Sequence, residues 1–350
     1  MIYAISPLFI KFFAIVFTIA LALFLLCFFI TNKIYSFAFG KRLDSTPLHF
    51  FTHKDYEGLN CSPIEFKSTN NNTLRGNIYY YDFPVYKGIL IFAHGLGVGH
   101  LQYTHEINHF AKLGFKVVTY DNTGCAKSDG EQIGGLPQGI MDLKSCLDFI
   151  RTRDDLKNYN KVLCGHSWGG YSTINVLPFV IEEDNVKCAV AMGAPFNSTE
   201  ALYEMVVRTS KILKFTGPFI SMIEKNKYGQ ISKMNTLASL SNVNIDTMLI
   251  HGTKDHIINY ENNFKFVENN LEKDNVTFVS VENKRHRPNI SDEATEYDEL
   301  ISKETKNLHE RKATKEEFKH FYDNINYHKL VEFDDVVMNQ IDEYNLKHFN

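Results

Sequence analysis

Lys161–Gly170 reads K-V-L-C-G-H-S-W-G-G, and the meaning of this stretch decides what the rest of the chain is. Val162–Cys164 is a short apolar run of the kind that fills a buried strand, and Gly165 and Gly169 each stand two positions from Ser167. A G-x-S-x-G pattern arises easily from composition, so its context must carry the inference. Here a strand-like run precedes the serine and a helical stretch begins at Gly169. A serine on a tight strand-to-helix turn presents its hydroxyl at the sheet edge, and glycines on either side leave room for that turn. The helix start then directs its N-terminal dipole at charge developing beside the serine.

The alternation extends in both directions. G-I-L-I-F-A-H-G (88–95), F-K-V-V-T-Y-D (115–121), K-C-A-V-A-M-G-A-P (187–195), D-T-M-L-I-H-G (246–252) and N-V-T-F-V-S-V (275–281) are further strand candidates. Helical patterns over about 103–113, 140–150 and 261–270 separate them. Continuous apolar strands between helices predict an α/β fold whose mostly parallel central sheet has helices on both faces. Right-handed crossovers then align the strand carboxyl ends, and with them the site, along one edge. P-I-E-F-K-S-T (63–69) and T-L-R-G-N-I-Y-Y-Y (73–81), separated by Asn70–Asn72, read as an antiparallel hairpin at the sheet border.

A serine nucleophile needs a base to take its proton and a carboxylate to hold that base in the right tautomer. In this architecture the acid and then the histidine are expected on the loops of later strands. T-M-L-I-H-G-T-K-D delivers Asp255, and V-T-F-V-S-V-E-N-K-R-H-R-P delivers His286. Of the rivals, His256 lies on the acid's own loop, while Asp246 and Asp274 precede their strands, at the opposite edge. A tetrahedral oxyanion also needs backbone donors. The N–H of Trp168 is expected to be one and that of Leu96 the other, with His94, Gly95 and Gly97 shaping the loop around Leu96. The Trp168 ring is expected to wall the acyl pocket.

H-G-L-G-x-G-H, Y-D-N-T-G-C-A-K-S-D-G, G-H-S-W-G-G, G-T-K-D and H-R-P, in this order, resemble the α/β-hydrolase superfamily. Within it they are similar to the monoacylglycerol lipase and lysophospholipase-like branch, grouped with serine aminopeptidases. The resemblance covers about 64–288 and the terminal helix. It implies metal-independent and cofactor-free hydrolysis of acyl esters through an acyl-serine. Serine at 167, where haloalkane- and epoxide-cleaving members carry aspartate, disfavours those reactions. The D-x-x-G-x-G-x-S loop keeps Asp121, Gly124 and Ser128 but has Ala126 at a common glycine position, and Trp168 replaces a more usual Met or Leu.

Phe12–Ile30 holds nineteen residues without a charge, about 28 Å as a helix and enough to cross a bilayer core of ~30 Å. A secretory leader has a shorter apolar stretch and a small-residue cleavage site, and neither is present here, so residues 1–35 read as an uncleaved membrane anchor. Lys11 precedes the span while Lys33, Lys41 and Arg42 follow it, a narrow excess that favours a cytoplasmic catalytic domain. Residues 36–59 then read as a linker, and 60–350 as the hydrolase domain. Within that domain 195–245 is a helical cap insert expected to lie over the site, and 289–350 is an extended helical region ending in a helix packed on the sheet.

The 350 residues carry a formal net charge of -4 with no long block of one sign, which gives no nucleic-acid footprint. The six cysteines form no C-x-x-C pair and no zinc spacing, and Cys164 and Cys188 lie within strand runs as reduced core residues. The sequence therefore predicts a membrane-anchored serine hydrolase acting on a small-molecule or lipid ester. A peptidase, thioesterase or acyltransferase built on the same triad is the nearest alternative, and a tethered, non-catalytic binding scaffold is a more distant one. Oligomeric state is left open.

Overall fold

The computed structural model describes residues 7–44, 48–97 and 99–349. An N-terminal helix, α1 (Pro7–Phe39), is followed by the hairpin β1 (Asn60–Lys67) and β2 (Thr73–Tyr80). The alternating core comprises β3 (Gly88–Ala93), α2 (Thr104–Lys112), β4 (Phe115–Tyr120), α3 (Leu136–Arg151), β5 (Lys161–His166), α4 (Trp168–Val176) and β6 (Val186–Met192). Three helices come next, α5 (Ser198–Thr209), α6 (Thr216–Tyr228) and α7 (Thr236–Ser241). They lead to β7 (Asp246–Gly252), α8 (Phe266–Asn270) and β8 (Val276–Val281). The C-terminal region holds α9 (Asp292–Glu310), α10 (Lys315–Asp323), α11 (Tyr327–Leu330) and α12 (Asp335–Leu346).

The eight strands form one sheet in the order β1-β2-β4-β3-β5-β6-β7-β8. β1–β2 and β2–β4 pair antiparallel, and every other pair is parallel. From β3 the chain crosses first to β4 on one side and then returns to β5 on the other, so the winding direction reverses between β3 and β5. Such a reversal opens a crevice at the carboxyl ends of the two strands. The register sets Ala93 beside Gly165, which places the His94–Gly97 loop directly against the Ser167 turn.

Every residue of β3 and β5 is buried, as continuous apolar strands covered on both faces require. One core layer, under α3 and α4, includes Leu143, Leu147, Ile174 and Leu177. The opposite layer packs Ile107 and Phe110 of α2 with Val337, Met338, Ile341 and Tyr344 of α12. All six cysteines are free thiols, and Cys125, Cys146, Cys164 and Cys188 are buried.

α1 runs 33 residues and is long and apolar enough to cross a membrane. It does not end at residue 35, where the sequence suggested a boundary. Tyr35 and Phe39, one turn apart on the same face, are buried in the core of the domain, and the Tyr35 hydroxyl donates to the Gly134 carbonyl. The stretch read as a linker is docked as well. Leu43 bridges Cys125, and the Arg42 guanidinium donates to the carbonyls of Ala126, Ser128 and Gly130. Residues 45–47 of that stretch lie outside the described residues.

Candidate active site

The turn between β5 and α4 holds Ser167 at φ 56° and ψ −117°, a region that a non-glycine residue adopts only at a cost of about 1–3 kcal/mol. Its own N–H is tied to the Met192 carbonyl at 2.8 Å. A Cβ on Gly169 would stand 1.9 Å from the Ala93 carbonyl oxygen, and one on Gly165 would stand 2.4 Å from that of Gly169. Glycine at both positions is thus dictated by how closely α4 crosses β3 and β5.

The loops after β7 and β8 converge on this turn. His286 Nε2 lies 2.8 Å from Ser167 Oγ and is placed to accept its proton. The Nδ1–H of the same ring donates to Asp255 Oδ2 at 2.8 Å. Asp255 Oδ1 accepts the N–H groups of Ile257 and Ile258 at 2.8 and 2.9 Å. Its Oδ2 also takes the Nε2–H of His251 at 3.1 Å. Burial alone would raise the Asp255 carboxyl, yet hydrogen bonds from His251 and His286 hold it below the usual carboxylate range.

The loop after β3 is held just as firmly. His94 accepts the Asn122 N–H at Nε2 and donates from Nδ1 to the Gly95 carbonyl, which fixes a neutral tautomer. Burial also lowers its pKa. The Gly95 N–H is taken by the Tyr103 hydroxyl at 3.1 Å. No acceptor among the described residues takes the Leu96 N–H, and Leu96 faces the cavity. Trp168 opens α4, so its N–H has no intrahelical partner. Gly97 follows, close against the Gln102 side-chain amide.

Three further side chains belong to this constellation, and the motifs did not point to them. The Tyr103 hydroxyl, while accepting from Gly95, donates to His166 Nδ1 at 2.9 Å. The Nε2–H of His166 donates to the carbonyl of His286 at 2.8 Å. Tyr103 and His166 thereby connect the loop after β3 to the backbone of His286. Burial drives His166 well below the ordinary histidine pKa, keeping it neutral, and pushes the Tyr103 hydroxyl up to about 12. His166 is the variable residue inside G-x-S-x-G, and His251 sits in an apolar strand; neither carries a sequence signal of its own. Of the rivals, the Asp246 carboxylate pairs with His348, while His256 lines the cavity and its carbonyl accepts from Arg208.

Two expectations fail. The Trp168 ring does not wall the cavity: it is 1% exposed, its Nε1–H donates to the Leu136 carbonyl at 2.8 Å, and it meets His94 edge to face. At the first position of α4 its side chain is drawn under α3, where the indole finds both packing and an acceptor. The helices of 195–245 do not roof the site either. The cavity at Ser167, about 570 Å³, is walled instead by Phe50 and Phe51, by the loop around Arg285 and Arg287, by α9, and by Tyr327–Val331. The extended C-terminal region and the segment following α1 therefore occupy the place expected for the insert.

Residues 85–235 match the family model described as serine aminopeptidase, S33, a span that includes Ser167 and not Asp255 or His286. Superposition with the Pyrococcus furiosus esterase Pf2001 gives a TM-score of 0.55 at 19% identity, covering 75% of this chain and 95% of that one. The chain has the α/β-hydrolase fold. It is also 28% identical over 142 residues to an uncharacterized 31.7 kDa protein in the traX-finO intergenic region of Escherichia coli, covering 40% of this chain and 48% of that one. It is 25% identical over 150 residues to the uncharacterized protein YfhR of Salmonella typhimurium, covering 42% and 47%. The chain thus spans about half the length of the curated relatives it matches.

Proposed function

We propose that the chain is a membrane-anchored serine hydrolase that cleaves acyl esters, with Ser167 as nucleophile, His286 as general base and acid, and Asp255 as the residue that orients His286. The observation that carries this is the unbroken path from Ser167 Oγ to His286 to Asp255, both links 2.8 Å, on a strained turn. His286 Nε2 takes the hydroxyl proton as Oγ attacks the acyl carbon. The tetrahedral oxyanion is held by the N–H groups of Leu96 and Trp168. Collapse expels the alcohol, which leaves with the proton from His286, and water then cleaves the acyl-serine by the same path in reverse order.

An uncleaved α1 is supported by the burial of its last turn in the domain, since removing the helix would strip Tyr35 and Phe39 from the core. A lipid-derived ester suits an enzyme held at a bilayer whose cavity has apolar walls such as Leu96, Ile257 and Leu330. An amide reading draws on one feature of the same cavity: Asp298 lines it and would meet a substrate ammonium, beside a Glu299 that is paired with Arg285.

Labelling by a fluorophosphonate probe tests the nucleophile. Wild type should label and Ser167→Ala should not; equal labelling of the two overturns the assignment. Turnover by the full chain in nanodiscs, comparing p-nitrophenyl esters with a monoacylglycerol, a lysophospholipid and an aminoacyl amide, tests the substrate. Faster cleavage of the amide would replace the ester reading with the peptidase one.

A further inference from the structure

The helices between β6 and β7 stand against α1. The Phe219 ring of α6 lies 5.2 Å from that of Phe24 and 6.4 Å from that of Phe28. Both α1 residues belong to the uncharged run that ends at Ile30. Phe24 is six positions inside that end, about 9 Å along the helix axis. A segment packed there sits at the depth of an interfacial helix, whose apolar face is buried ~5–10 Å into the headgroup and acyl boundary.

The surface of this insert has the matching character. Ile212 is 84% exposed, and Met205 and Met222 of the flanking helices are exposed as well. Between Arg208 and Lys233 the chain carries six basic residues and one acid, Glu224. That acid is buried and accepts the hydroxyls of Ser198 and Thr199, so its charge is turned inward. Lys211, Lys214 and Lys225, in the same stretch of chain, are exposed too. Apolar side chains with lysines at their margin suit a leaflet whose headgroups are anionic, the long stems reaching up while the chains below go under.

We propose that the Lys211–Met222 segment is a second membrane contact, submerged in the same leaflet that α1 enters and binding anionic headgroups through its lysines. The inference rests on α1 being membrane-spanning. It also gives the insert a role that covering the cavity does not. Arg208 holds the His256 and Ile257 carbonyls beyond the end of β7, and Lys227 donates to the Gly134 carbonyl beyond β4. The insert therefore reaches loops at the carboxyl edge of the sheet, and its immersion turns that edge, with Ser167, toward the bilayer.

The test uses the full chain in nanodiscs of phosphatidylcholine with phosphatidylglycerol, with Cys27 and Cys61 replaced by serine. An environment-sensitive NBD label is placed by Leu21→Cys in the span, Ile212→Cys in the insert, or Lys306→Cys on exposed α9. Expected are blue-shifted emission and quenching by brominated acyl chains at positions 21 and 212, and neither at 306. A dry, quenched position 21 with a water-exposed position 212 overturns the docking and leaves the anchor standing. A blue-shifted position 212 that brominated lipid does not quench means a protein partner or second copy covers it, and also overturns the docking. A water-exposed position 21 overturns the anchor and the docking with it. Pure phosphatidylcholine should weaken quenching at 212 and leave 21 unchanged; equal quenching at 212 in both lipids removes the anionic-headgroup component.

Discussion

His251 Nε2 lies 3.1 Å from Asp255 Oδ2, the carboxylate oxygen that also receives the His286 Nδ1–H. The same His251 proton is shared with the Ile258 carbonyl at 3.0 Å, so His251 acts here as a donor to two acceptors. Asp255 is consequently a carboxylate with four donors, two imidazoles and two backbone amides, and that saturation holds it ionised and pointed at His286.

Removing one of those donors should be visible in the pH profile. In His251→Leu the Asp255 carboxyl loses one of the donors that hold it low, so the loss of kcat/KM on the acid side should set in at higher pH than in wild type. His251→Gln, whose side-chain amide can donate from nearly the same place, should restore much of the wild-type profile. A limb that stays fixed in His251→Leu would show that His251 only packs.

Tyr103→Phe removes the acceptor of the Gly95 N–H and the donor to His166 Nδ1 in one step. Two buried polar groups left unpaired should lower stability by about 2–4 kcal/mol in denaturant titration. With the loop around Leu96 released, kcat should fall about 10- to 100-fold while KM changes little.

The buried Trp168 separates fold from specificity. Trp168→Phe leaves the Leu136 carbonyl without its donor and opens space under α3, costing about 2–4 kcal/mol, yet the order of preference among p-nitrophenyl esters should not change. Ile257→Trp, on the cavity wall, should instead shorten the preferred acyl chain with stability nearly intact. A changed chain-length order in Trp168→Phe would return the indole to the pocket.

Asp142 offers a stability test away from the site. It is fully buried, and although Thr123 and Gln138 donate to it, burial raises its carboxyl to about 6. The folded state thus favours the protonated form more than the unfolded chain does. That stabilisation is complete below the ordinary aspartate pKa near 4 and is lost as pH rises through about 6, an effect of ~3 kcal/mol. Wild-type Tm measured from pH 4 to 7 should carry this loss, and Asp142→Asn should lack it.

Much of the molecule is written locally. Apolar strand runs, their alternation with helices, the glycines around Ser167 and the chain order of Asp255 and His286 follow from pleat and helix periods and from the steric demand of one turn. These features need only neighbouring residues, so the sequence alone determined the fold class and which side chains to inspect. Convergence needed the tertiary structure. Tyr103 and His166 are 63 residues apart and act as a pair only because the end of β3 lies against that of β5. The direction of Trp168 was decided by the Leu136 carbonyl on α3, and the cavity wall by a C-terminal region whose charged helices have no motif. Whether α1 is a loose tether or a docked helix likewise depended on Tyr35 and Phe39 finding a core, because an apolar period records that a face will be buried and leaves open what will bury it.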